Sequence, residues 1–124
     1  MKTKKFLIAF ALIGFIACSK NGGDNEKPVI NLTTPTANQQ FTAGQTINIT
    51  GTVSDNDEIH EVHVIVTNKT TSTEILHFHD HIDAKTYNIN QSLVAAAGIT
   101  YKIHVEADDH TGNTAVVEIE VNGI

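Results

Sequence analysis

Thr100–Ala107 reads TYKIHVEA and alternates without a break. Tyr101, Ile103, Val105 and Ala107 fall on one side of an extended chain, and Lys102, His104 and Glu106 on the other. Successive side chains of a strand point to opposite faces, so this stretch is a strand with one buried and one solvated side. The same period runs outward in both directions. Thr114–Val121 gathers Val117, Ile119 and Val121; Thr86–Leu93 gathers Tyr87, Ile89 and Leu93; Glu74–Ile82 gathers Leu76, Phe78 and Ile82. Ile59–Thr67 sets Val62, Val64 and Val66 together, Thr46–Val53 does so with Ile47, Ile49 and Val53, and Val29–Leu32 is a short first strand. No segment sustains a helical period, and the one helix-friendly stretch, Ser92–Gly98, stops at its glycine. Seven short, half-buried strands separated by turn clusters predict an all-β chain folded as a two-sheet sandwich.

The first residues have a different character. Lys2, Lys4 and Lys5 precede an apolar run from Phe6 to Ala17, too short to span a bilayer comfortably. A basic start, a short apolar core and a small residue before the cut describe a secretory signal over residues 1–17. Cys18, the only cysteine, ends the run FIAC, which resembles the lipobox of bacterial lipoproteins. That resemblance implies cleavage before Cys18, lipidation of its thiol and a membrane anchor made of several acyl chains. It places the protein in the bacterial cell envelope, on the outer membrane. Residues 18–28 are then the lipidated cysteine and a flexible, glycine-containing tether, and 29–124 the folded domain. With one cysteine there is no internal disulfide.

Charge narrows the partners. Beyond the signal the chain has five lysines, no arginine and fourteen acidic residues, a net charge of −9 with histidine neutral. Phosphate backbones are bound through Lys and Arg, so nucleic acid is excluded. The membrane, through the lipid, and an unidentified protein partner remain, and an acidic surface suits cations.

Two stretches make the sandwich more specific. VSDNDEIHEVHVIV (Val53–Val66) carries D-x-x-x-I-x-x-V, and GITYKIHVEADDHTGN (Gly98–Asn113) carries G-x-x-Y-x-x-x-V-x-A-x-D-x-x-G-N. Both resemble bacterial immunoglobulin-like domains, and the chain also resembles small histidine-rich bacterial lipoprotein domains. The resemblance implies a seven-stranded immunoglobulin-like β-sandwich. It leaves function open, because such sandwiches host many roles.

The chemistry-bearing residues cluster in two places. EILHFHDHID (Glu74–Asp83) has His77, His79 and His81 at alternate positions, hence on one face of a strand. A symmetrical hairpin about Thr70 opposes Val64 to Leu76, His63 to His77 and Glu61 to His79, and leaves His81 opposite Ile59. With strand 100–107 on the other side, His63, His77, His79, His104 and Glu61 share one exposed face and are candidate ligands for zinc or copper. The second cluster is acidic. Asp55, Asp57 and Asp109 lie in loops at one end of the sandwich and are candidates for calcium, or stabilise their own turns. No serine has a nucleophile context and a flat sheet face lacks a cleft, so the chain is not expected to be an enzyme. The expected function is a non-enzymatic binding module holding a metal on the histidine face; the alternative is an accessory or adhesion domain without metal.

Overall fold

A computed structural model of the protein describes residues 23–124. The expected signal, Cys18 and the first part of the expected tether lie outside the described residues. The strands are β1 (Val29–Thr34), β2 (Gln40–Phe41), β3 (Thr46–Asn68), β4 (Glu74–Val94), β5 (Thr100–Asp109) and β6 (Thr114–Gly123), with no helix among the described residues. The all-β immunoglobulin-like fold is thus observed, as six strands where seven were expected: four expected segments join into two long strands, and the short β2 is additional.

Thr46–Val53 and Ile59–Thr67, expected as two strands, are the halves of the continuous β3; Glu74–Ile82 and Thr86–Leu93 are likewise the halves of β4. The polar Asp55–Glu58 run does not break the ladder. Ser54 pairs with Thr86, and pairing resumes at Ile59 with Ala84. The two long strands therefore run side by side through both halves of the fold. The first half of β3 lies between β1 and the end of β4, and its second half between the start of β4 and β5. Beyond β5 come β6 and then β2, which runs parallel to β6.

One irregularity in β3 shapes everything that follows. Ile47, Ile49, Val53 and Ile59 are fully buried, all at odd positions, whereas beyond them Val62, Val64 and Val66 are buried at even ones. Against β5, Ile59 opposes Asp109 but Glu61 opposes Asp108. His60 is the extra residue of a β-bulge, which changes the buried parity and re-aims the side chain there. Across the interface Tyr101, Ile103, Val105 and Ala107 are buried as their alternation requires. The Ala96 N–H donates to the Tyr101 hydroxyl at 2.8 Å, so the buried ring has a partner for its polar tip at the start of β5.

Candidate metal centre on the histidine face

The β3–β4 turn sets which histidines meet. Asn68 Oδ1 accepts from the N–H groups of Thr70 and Thr71, and Ser72 takes a left-handed conformation at φ 57°. Pairing begins at Thr67 with Glu74 and shifts before Val66 with Leu76, leaving Ile75 as an extra residue. The wider loop and this bulge together displace the pairing by two residues from the symmetrical hairpin. The faces are unchanged, but the partners are corrected: Val64 opposes Phe78, His63 opposes His79, Ile65 opposes His77, and Glu61 opposes His81. His81, expected beside Ile59 at the end of the strand, is instead a direct neighbour of Glu61.

Glu61 is the centre of the face. Its Oε2 lies 3.2 Å from His63 Nε2 and 3.4 Å from His79 Nε2; its Oε1 lies 3.3 Å from His81 Nδ1 and 3.4 Å from His60 Nε2. Each contact follows from the ladder. His81 is directly across, His79 is the diagonal neighbour, His63 is two residues along the same strand, and the bulge turns His60 outward beside it. His63 and His79 stack with centroids 4.4 Å apart and ring planes within 14°. The Glu61 carboxyl is held below its ordinary value: the bond from His63 lowers it most, partial burial opposes, and the charges of His81, His79 and His60 lower it further.

Two expected ligands are not brought into this group. His77 lies near Glu74 at 3.4 Å, with its ring 6.1 Å from that of His63. His104 is taken by Glu118, which its Nδ1 reaches at 2.8 Å, and lies 3.4 Å from Glu106. Glu61, His63 and His79 do come together, with one donor atom from each within 4.8 Å of the others; His60, Glu61 and His81 form a second such set. Strict alternation puts His60 inward with Val62. Its signal was the misplaced pair itself, an apolar Ile59 and a polar His60 out of phase with the three valines, which marks a bulge. Two surface depressions lie elsewhere, one lined by Phe41, Thr46 and Asn90 and the other by Asn38, Lys102 and Glu118.

The acidic end is also regrouped. Asp109 and Asp55 come together with Asp24, from the segment before β1, while Asp57 stays outside and donates its N–H to Asp55 Oδ1 at 2.9 Å. Both Asp109 oxygens accept from its own turn: Oδ1 from the N–H groups of Thr111 and Asn113, Oδ2 from the Thr111 hydroxyl and the Asn113 amide. Asp24 Oδ2 and Asp55 Oδ2 are buried without a hydrogen-bond partner. Asp55→Asn keeps the acceptor for Asp57 and supplies a donor to the neighbouring carboxylates. It is expected to raise Tm in calcium-free buffer by about 5 °C, or about 1 kcal/mol. Calcium held by this set would show instead as a Tm rise in the parent protein that Asp55→Asn removes.

The sequence pattern of the Bacterial Ig domain family matches residues 28–92. The chain belongs to the bacterial Ig domain family. The matched span contains the bulge, Glu61 and five of the histidines, and ends before His104 and His110. No curated protein matches the chain. Among solved structures, the fibronectin(III)-like modules of Clostridium thermocellum CbhA share 24% identity at a TM-score of 0.50, over 78% of this chain and 47% of that one. This Ig domain thus spans about half the length of that chain. A superoxide reductase (neelaredoxin) from Ignicoccus hospitalis aligns at a TM-score of 0.54 and 8% identity, over 79% of this chain and 80% of that one. Both likenesses are of fold and bring no activity across. Bacterial Ig domains usually stand outside the cell or on its surface, as non-enzymatic interaction modules.

Proposed function

We propose that this Ig domain is a lipid-anchored binding module of the bacterial cell envelope that holds a transition metal, zinc or copper, on its histidine face. The observation that supports it is the ring of four imidazole nitrogens 3.2–3.4 Å from one carboxylate. Imidazole nitrogen with carboxylate oxygen is a donor set for zinc and copper. Glu61, His63 and His79 are the ligands, and the positions they leave open suit water or a group from a protein partner. His77 and His104 flank the site without belonging to it.

The test is a zinc and copper titration of the untagged, metal-free protein, followed by its melting temperature. Tm is expected to rise with micromolar metal in the parent and by far less in His63→Ala and His79→Ala. An unchanged Tm in the parent would leave an accessory module that recruits a protein without metal. The anchor has its own test. Cys18→Ala is expected to move the protein from the membrane fraction to the soluble one and to abolish fatty-acid labelling. A variant that stays in the membrane fraction would overturn anchoring through Cys18.

A further inference from the structure

The geometry points to a second ion: Glu61 bridges two metal ions, one on Oε2 with His63 and His79, the other on Oε1 with His60 and His81. This rests on the metal-binding reading above and extends it. Each oxygen of the carboxylate faces its own pair of imidazole nitrogens, and the two pairs share no residue but Glu61. Two ligand atoms about 2.0–2.1 Å from one tetrahedral ion lie about 3.3 Å apart. All four nitrogen–oxygen separations fall between 3.2 and 3.4 Å. Two other imidazole–carboxylate hydrogen bonds of the chain are shorter, His104 to Glu118 and His110 to Asp83 at 2.8 Å, against 3.2 Å for the one between His63 Nε2 and Glu61 Oε2.

A second observation belongs to the Oε1 side alone. Asp83 Oδ1 lies 2.8 Å from His110 Nε2, and His110 Nδ1 lies 3.2 Å from His60 Nδ1. An ionised carboxylate only accepts, so His110 donates from Nε2. With both imidazoles neutral, as metal binding requires, His110 accepts at Nδ1 and His60 donates from its own Nδ1. That leaves a lone pair on His60 Nε2, the atom that faces Glu61 Oε1 at 3.4 Å. Two lone-pair atoms so placed suit a cation held between them. A carboxylate that fixes the tautomer of a histidine ligand through its far nitrogen is the usual outer support of a metal site, here relayed through one more imidazole. Asp83 and His110 are therefore positioning residues, and His60, His81 and Glu61 the ligands of the second ion. A divalent ion of the zinc or copper class suits each half, and a shared carboxylate sets the pair about 3.5–4 Å apart.

The test is the stoichiometry of zinc on the untagged, full-length protein, stripped with chelator and dialysed against free zinc. Two ions per chain are expected in the parent, one in His60→Ala, and none retained at the same free zinc in Glu61→Gln. Asp83→Asn touches neither ion and is expected to weaken only the second, by about 10- to 100-fold. Loaded with copper(II), the parent is expected to show the spin coupling of two close ions and His60→Ala the signal of an isolated one. Circular dichroism of each metal-free variant checks that it folds. One ion in the parent, unchanged in His60→Ala and lost in His63→Ala, would overturn the bridge and leave the single site standing. No ion in the parent would overturn both.

Discussion

In Glu61→Gln, the rise in Tm that zinc gives the parent protein is expected to vanish. An ion present at a hundredfold excess over its Kd stabilises the state that binds it by about 2.7 kcal/mol. For a domain of this size that is about 10–20 °C. Glutamine keeps the shape of the side chain but loses its charge, and only one of its two terminal atoms can donate a lone pair to a metal. The loss exceeds that from any single histidine, because Glu61 reaches all four nitrogens. Scanning fluorimetry at pH 7.5, with and without about 100 µM zinc, checks it. The metal-free variant should melt close to the parent, since Glu61 is partly solvated and not part of the core. A zinc-dependent rise that survives in Glu61→Gln would place the ion on histidines alone and remove the carboxylate from the site.

Asp109→Ala carries the other large effect, and it falls on stability. Asp109 is 5% exposed and gathers the Thr111 and Asn113 N–H groups, the Thr111 hydroxyl and the Asn113 amide. Alanine leaves these donors without their acceptor at the end of β5. The expected cost is about 3 kcal/mol, measured by urea unfolding at neutral pH. The pH dependence follows from the same bonds. Burial pushes the Asp109 carboxyl up, but the bonds from Asn113 and Thr111, side chain and backbone, outweigh it and bring it down to about 2, from an ordinary 3.8. The native state therefore holds this proton less tightly than the unfolded chain. The contribution of Asp109 is complete above about pH 4 and disappears as pH falls through about 2. The parent should lose stability across that window, and Asp109→Ala should show a shallower loss there. Equal slopes would mean that the turn stands without the charge.

The sequence alone determined the all-β sandwich, because a period of two repeated through β3 to β6 admits one arrangement of faces. It also placed Glu61, His63 and His79 on the same exposed side, since parity is insensitive to a shift of two residues. Parity does not determine which residues stand opposite one another. That depended on the Asn68–Thr73 turn and the extra residue at Ile75, whose backbone conformations leave little mark in the hydrophobic pattern. His81 therefore changed from a strand-end residue to a neighbour of Glu61. His60 left only the phase slip between Ile59 and Val62 as a mark in the pattern, and His110 left none. One needed a bulge to turn it outward, and the other came from a turn some fifty residues away in the chain. The apolar periodicity specifies what the core buries. The local departures from it, seen only when strands pair in three dimensions, decide which polar groups converge.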